Sequence, residues 1–228
     1  MATCFCDIET SGLDVRRHEI VEICFRRVPT ASTVPAADRQ GVVTVHRYVN
    51  LTRPEDADQR ALELNGYRWR EDAVPLSVAV REAQDVVRPG DVLVVQNPDF
   101  DLAFLRRDGF ELPVGVGADR VRVVDTASMA WPLRARGVLS SVSLHGLCDY
   151  YGVGNDGEHG ALRDVERLEA VYAAILAAAQ EQDVRIVAVL LTHGHIDHAA
   201  GARDLAVGLG VGVRALDPEH RLGSEGLV

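Results

Sequence analysis

The feature that most constrains the fold is a short apolar run, Val92 to Val95, with Asp91 before it and Gln96 after it. A continuous apolar run of this length is typical of a central strand that is buried on both faces. A helical pattern over residues 99–108 follows, and Gly109 ends it. The run therefore predicts a sheet covered by helices, which is the architecture of an α/β protein.

The rest of the first 180 residues alternates strands and helices. Strands are predicted over residues 3–9, 20–28, 42–49, 91–96 and 120–125, and helices over residues 54–64, 77–87, 99–108, 143–151 and 162–180. Three meandering strands before the alternation predict a mixed five-stranded sheet flanked by helices. The pattern restarts with a strand over residues 184–191, a helix over 198–208 and a strand over 211–216. We therefore expect two domains, 1–180 and 181–228, of which the second is a short β-α-β extension.

Composition and charge exclude several classes of protein. The chain of 228 residues is 47% hydrophobic, which supports a sizeable core, and its four cysteines are too few for a disulfide scaffold. No apolar run reaches the ~18 residues of a membrane span, and the N-terminus lacks a signal pattern, so we expect a cytoplasmic protein without membrane contact. The net charge of −10 argues against a basic face that coats nucleic acid.

Four carboxylates carry the chemistry expected of the first domain. Asp7 and Glu9 lie two residues apart at the end of a strand, so the period of two places both on one face. Asp101 follows the central strand, and the carboxyl ends of neighbouring strands would bring all three carboxylates to one crevice. Asp164 lies five residues after His159, where the long helix begins.

This set of oxygen ligands favours Mg²⁺ or Mn²⁺ over zinc. Like charges held close together are costly unless a divalent cation lies between them, and two such ions bring a charge of about +4. A pair of these ions supports in-line displacement at a phosphodiester, in which a nearby histidine accepts the proton of the attacking water. The carboxylates therefore predict metal-dependent hydrolysis of phosphodiesters.

Three motifs in this order resemble those of the DEDDh 3′–5′ exonucleases. Residues 7–13 (DIETSGL) resemble the first motif, D-x-E-T-T-G-L, with Ser11 in place of the second threonine. Residues 97–101 (NPDFD) resemble the second, N-x-x-F-D, and residues 159–164 (HGALRD) the third, H-x-A-x-x-D. The resemblance covers about residues 1–178 and implies a ribonuclease H-like fold.

The resemblance also implies a function, namely the release of nucleoside monophosphates from the 3′ ends of DNA or RNA by a two-metal-ion mechanism. It implies that two Mg²⁺ or Mn²⁺ ions are held by Asp7, Glu9, Asp101 and Asp164. His159 would be the general base, and the terminal nucleotide would contact Thr10, Leu13 and Phe100. The expected substrates are single-stranded or frayed 3′ ends, and a polymerase is a candidate partner because the family includes proofreading subunits. The choice between DNA and RNA stays open.

Other aromatic and histidine residues fit ordinary structural roles. Trp69 and Trp131 lie in polar surroundings, where stacking on bases and a structural role both fit, and the structural role is favoured. We expect His18, His46 and His145 to be surface or core residues.

The C-terminal tail carries a second motif after the apolar residues 186–191. This motif resembles the H-x-H-x-D-H sequence of the metallo-β-lactamase fold and consists of His193, His195, Asp197 and His198. Its nitrogen and carboxylate ligands suit a zinc pair or iron. Only 30 residues follow His198, so the tail resembles a fragment of that fold. A hydrolase of this type is therefore one alternative to the exonuclease, and a non-catalytic module that binds 3′ ends or a polymerase is another.

Overall fold

The computed structural model describes residues 2–29, 41–181, 188–191 and 212–215. Its larger sheet has five strands: β1 (Ala2–Thr10), β2 (Ile20–Pro29), β3 (Val43–Tyr48), β4 (Val92–Val95) and β5 (Arg122–Asp125). They are ordered β3-β2-β1-β4-β5, with β1 antiparallel to β2 and parallel to β4. The prediction of a mixed five-stranded sheet is thus confirmed.

In the described part of the chain, six α-helices accompany this sheet: α1 (Gln59–Leu64), α2 (Leu76–Val86), α3 (Pro98–Arg107), α4 (Thr126–Ala135), α5 (Leu144–Tyr151) and α6 (Ala161–Glu181). The single helix predicted over residues 54–64 is wrong. A short 3₁₀ turn comes first, and α1 then begins anew because the Asp58 side chain accepts the N–H of Arg60. Sequence reasoning missed α4, whose interior contains Pro132, a residue that ordinarily ends a helical pattern.

The core lies on both faces of the sheet. Buried residues of α2 and α3 pack on one face, and those of α4, α5 and α6 pack on the other. In β4, Leu93 and Val95 belong to the first cluster and Val94 to the second, and all three are fully buried. The apolar run is therefore the central strand that its composition predicted, because each successive side chain enters a different layer.

Contacts divide the chain into two compact units, residues 1–176 and 177–228. In the second unit, β6 (Ala188–Leu191) and β7 (Gly212–Ala215) pair in parallel, within the two strands predicted for the tail. The helix predicted over residues 198–208 lies outside the described residues. So do the tail motif residues His193, His195, Asp197 and His198. The predicted domain boundary at residue 180 stays a prediction.

Among the described helices, none combines the length and the apolar character that crossing a membrane requires.

Candidate active site

The parallel pairing of β1 with β4 brings the first three carboxylates together. Thr3 pairs with Val92 and Cys6 with Val95, so both strands end at the same edge of the sheet. The chain turns directly from β4 into α3, whose first turn contains Asp101. The Ile8 N–H donates to Asp101 Oδ1 at 3.1 Å, which fixes the buried aspartate between Asp7 and Glu9 of β1.

The turn between β4 and α3 depends on Asn97. This residue adopts a left-handed conformation with φ 57°, which asparagine tolerates better than most residues. Its N–H donates to Asp125 Oδ1 at 3.0 Å, so the turn is anchored to the end of β5. Asn97 therefore shapes the site through the backbone and contributes no side-chain cap to α3.

The start of α6 supplies the remaining two groups. Asp164 is buried in the first turn, and its Oδ2 lies 3.5 Å from Nδ1 of His159. Gly160, with φ +157°, separates the histidine from the helix. Ligand atoms of Glu9, His159 and Asp164 all lie within 4.8 Å of one another. Side chains about 155 residues apart in sequence thus share one cluster.

Three of the carboxyl groups at this edge of the sheet, those of Asp7, Glu9 and Asp101, have raised pKa values. Burial, reinforced by the charges of Asp101 and Glu9, raises the pKa of Asp7 well above its ordinary range. Burial and the charge of Asp164 raise the pKa of Glu9 to about 8, and burial raises the pKa of Asp101 to about 7. These shifts mean that the polypeptide does not balance the negative charge that its own side chains bring together.

This donor set fits divalent cations. Carboxylate oxygens, which are the ligands that Mg²⁺ and Mn²⁺ prefer, converge there beside an imidazole nitrogen. A cation in the cluster would offset the cost of burying these negative charges and the repulsion between them. Asp164 has a cationic partner among the described residues, since Arg167 Nη1 lies 2.7 Å from Asp164 Oδ1.

The residues expected to contact substrate have three different environments. Leu13 is 81% exposed at the loop after β1, where it is free to contact a ligand. Thr10 is buried, and its hydroxyl donates to the carbonyl of Gly12 at 2.8 Å. Phe100 is partly buried against the core, with its ring centroid 5.1 Å from that of Phe104. The contact of these three residues with a nucleotide stays a prediction.

A sequence comparison decides the family. The family model for RNase T-type exonucleases matches residues 4–172, a range that includes all three motifs and the residues Asp7, Glu9, Asp101, His159 and Asp164. The chain belongs to this exonuclease family. The resemblance inferred from the motifs is thus confirmed, and the membership indicates a nuclease that hydrolyses nucleic acid.

The remaining matches are partial. The model for the metallo-beta-lactamase superfamily matches residues 152–227, about a third of the chain, which is too little to show membership. No curated protein sequence matches the chain significantly.

The fold of this chain is similar to that of solved structures of exonuclease I. One structure of exonuclease I has a TM-score of 0.63 at 17% identity, with 79% of this chain and 42% of that chain covered. Exonuclease I from Methylocaldum szegediense gives 0.62 at 19%, with 79% and 41% covered. E. coli exonuclease I in complex with a dT13 oligonucleotide gives 0.59 at 15%, with 80% and 42% covered. The chain thus spans about 42% of the length of these proteins, and the likeness shows the fold alone.

The exonuclease site contains a fifth carboxylate that sequence reasoning missed. Glu22 of β2 is the cross-strand partner of Glu9 and is buried. Its Oε1 lies 2.6 Å from Nε2 of His46, a residue expected to have no role at the site. The sequence did contain a signal for Glu22, because it is an acidic residue inside the apolar stretch IVEICF (residues 20–25). An acidic residue is rarely buried in such a stretch unless it has a partner.

Two further residues support the candidate base. The ring centroid of His145 lies 4.7 Å from that of His159, in an edge-to-face arrangement that helps to fix the imidazole. Arg167, three residues after Asp164 on α6, also donates to the carbonyl of Glu158 at 2.6 Å and so ties the histidine loop to the helix. The spacing of three residues between Asp164 and Arg167 on a predicted helix could have indicated their contact, whereas no local pattern indicated the contact of His145 with His159.

Hydrogen bonds and side-chain packing hold the loop that carries Leu13 in place. His18 Nδ1 accepts the N–H of Asp14 at 2.9 Å, and the His18 ring fills the space beside Gly12, where an added Cβ would lie 2.6 Å from ring atoms. Arg107 of α3 donates to the carbonyl of His18 at 2.6 Å, which joins this loop to the helix that carries Asp101. His18 is therefore a structural element of the site, which its isolated position in the sequence did not reveal.

Proposed function

We propose that this chain is a metal-dependent 3′–5′ exonuclease that releases nucleoside monophosphates from DNA or RNA. The observation that carries the proposal is the convergence of Glu9, Asp164 and His159 beside Asp7 and Asp101 at one edge of the sheet. Family membership supports hydrolysis of nucleic acid, and the order of the motifs supports the DEDDh subtype.

Two Mg²⁺ or Mn²⁺ ions would be held by Asp7, Glu9, Asp101 and Asp164. When bound, such ions stabilise the negative charge that develops on the phosphate and on the leaving oxygen. The raised pKa values of Glu9 and Asp101 support this assignment, because these carboxyls give up their protons readily only when a cation compensates their charge.

His159 would act as the general base that takes the proton of the attacking water. Its side chain is about one-third exposed, so it reaches both the carboxylate cluster and solvent. Asp164 Oδ2, at 3.5 Å from Nδ1, would orient the ring and stabilise the imidazolium after proton transfer. Arg167 would hold Asp164 in position through their 2.7 Å contact.

The substrate would be the single-stranded or frayed 3′ end of a nucleic acid. The exposed Leu13 offers an apolar contact for the terminal base, with Phe100 and the backbone around Thr10 beside it. The dT13 complex of E. coli exonuclease I supports a single-stranded substrate. A polymerase partner and a cytoplasmic location stay predictions.

Release of mononucleotides from labelled oligonucleotides tests the proposal. With Mg²⁺ or Mn²⁺, a 5′-labelled strand should shorten one nucleotide at a time and a 3′-labelled strand should yield labelled mononucleotide at once, and EDTA should abolish both. Asp7→Ala and Asp164→Ala should remove activity while circular dichroism shows an intact fold. Asp99→Ala is the matched control, since Asp99 is an exposed aspartate in the same helical turn as Asp101. A full rate in Asp7→Ala would contradict the metal assignment, and mononucleotides released first from the 5′ end would contradict the polarity.

The metallo-β-lactamase-type hydrolase remains the alternative for the tail. The match over residues 152–227 supports it, although the motif residues lie outside the described part of the chain. We propose that the tail is not needed for nuclease activity. A shortened protein that lacks it tests this point.

A further inference from the structure

A groove of about 720 Å³ opens beside the candidate base, and the carboxylates Glu22, Glu63 and Glu158 are among the residues that line it. His159 and Gly160 line one end, and Asn65, Arg68 and Arg70 line the wall that the loop after α1 supplies. Its volume lies within the range of about 300–1,000 Å³ in which proteins hold ligands. A nucleic-acid strand that reaches His159 through this groove therefore passes Arg68.

Arg68 is a free cation in this groove. Arg70 donates to Asp72 at 3.0 Å and covers the Tyr48 ring, and Arg163 on the opposite wall pairs with Glu158 at 2.9 Å. By contrast, Arg68 is exposed and forms no hydrogen bond or ion pair within residues 2–29 and 41–181. Its guanidinium is thus available to an external anion such as a backbone phosphate.

The loop on either side of Arg68 is held in place. The Asn65 side chain donates to the carbonyl of Thr10 at 3.0 Å, and the Tyr67 hydroxyl accepts the N–H of Leu51 at 3.0 Å. On the other side, Arg70 exchanges two hydrogen bonds with Asn50, at 2.7 and 3.0 Å. Residues 68 and 69 therefore lie between anchored residues, so little conformational entropy is lost when a ligand binds there.

Trp69 is the neighbour of Arg68 and is 68% exposed. This exposure contradicts the structural role that sequence reasoning favoured, because the indole packs into no core cluster of the described chain. An exposed aromatic ring beside a free guanidinium is the combination with which single-strand-binding proteins hold a base and its phosphate.

We propose that Arg68 and Trp69 form a binding site for the part of a single strand that lies upstream of the terminal nucleotide. Arg68 binds a backbone phosphate as the strand leaves the groove, and Trp69 stacks on an unpaired base. A paired base has both faces occupied by its stacked neighbours, so the site selects single strands. This inference rests on the proposed function, since it takes the strand end to lie at His159.

The test measures KM for single strands of two to eight nucleotides with Mn²⁺. The wild-type KM should fall as the strand lengthens. Trp69→Ala should raise KM for the eight-nucleotide strand about 5-fold or more, and Arg68→Ala should lower the salt dependence of log KM by about 0.7. Both losses should grow with strand length while kcat changes little. Trp131→Ala and Arg122→Ala are the matched controls, since both residues are exposed and, unlike Arg68 and Trp69, neither lines the groove or adjoins a residue that does.

Two outcomes would overturn the inference. One is a KM within twofold of wild type at every length for both variants, and the other is an equal rise for the dinucleotide and for the longest strand. Fluorescence anisotropy of labelled strands, measured in Ca²⁺ without hydrolysis, gives the same length comparison as an affinity. An inactive wild-type protein would contradict the proposed function, whereas the anisotropy would still decide the role of Arg68 and Trp69.

Discussion

Replacing Asp101 with asparagine tests whether the carboxylate cluster bears charge that the polypeptide leaves unbalanced. The side chain is buried and its Oδ1 accepts the N–H of Ile8, a bond that an asparagine oxygen can also accept. Burial raises the pKa of Asp101 to about 7. The substitution keeps the shape and removes the charge, so it should stabilise the metal-free protein at pH 8 while it removes nuclease activity.

The size of the effect follows from the pKa shift. Because the pKa of Asp101 is raised from 3.8 to about 7 on folding, the protonated carboxyl stabilises the folded protein. This stabilisation is fully present below pH 3.8 and is lost as the pH rises through about 7. At about 1.4 kcal/mol per pKa unit, ionisation lowers the free energy of unfolding by about 4 kcal/mol at pH 8 and by about 1 kcal/mol at pH 4.5. The weaker bond from Ile8 offsets about 1–2 kcal/mol. We therefore expect a net gain of about 2–3 kcal/mol at pH 8, or about 4–12 °C in Tm.

Thermal unfolding in EDTA, followed by circular dichroism at pH 4.5 and pH 8, measures this gain. Asp91→Asn is the contrasting control, because Asp91 is buried but accepts from Arg27 at 2.7 and 3.0 Å, and this partner lowers its pKa. That variant should be less stable than wild type at pH 8. Added Mn²⁺ should raise the Tm of the wild type more than that of Asp101→Asn. An Asp101→Asn protein that gains nothing at pH 8, or gains equally at both pH values, would refute the reasoning.

Three further predictions concern the base, the substrate loop and the tail. His159→Ala should lower kcat about 10²–10⁴-fold in initial-rate assays, and an unchanged kcat would exclude it as general base. Gly12→Ala should raise KM, because the added Cβ would lie 2.6 Å from the His18 ring and the backbone φ of +151° disfavours a side chain. Adding His18→Ala should recover part of this loss, and no recovery would contradict the steric cause. Deletion after residue 180 should leave nuclease activity measurable, whereas loss of activity together with bound zinc would favour the hydrolase alternative.

Local patterns in the sequence were sufficient for most of the sheet. The apolar run predicted β4, and strand patterns before and after it predicted the other four strands, because burial on one or both faces of a strand favours particular side-chain types. Helix α4 was missed because Pro132 interrupts the helical pattern of its sequence. The Asp125 side chain nevertheless caps the helix by accepting the N–H groups of Ala127 and Ser128. The break before α1 was missed because capping by Asp58 depends on backbone conformation at a single residue.

The sequence by itself was sufficient for the family, and it predicted the four carboxylates and their histidine, since each motif is a short local pattern at the end of a strand or helix. Only the tertiary structure decided what surrounds them. Glu22 reaches Glu9 through the antiparallel register of β1 and β2, and His145 at the start of α5 reaches His159 in the loop before α6. The exposure of Trp69 was likewise decided by the fold, because burial depends on which distant segments cover a residue, and no local periodicity encodes that.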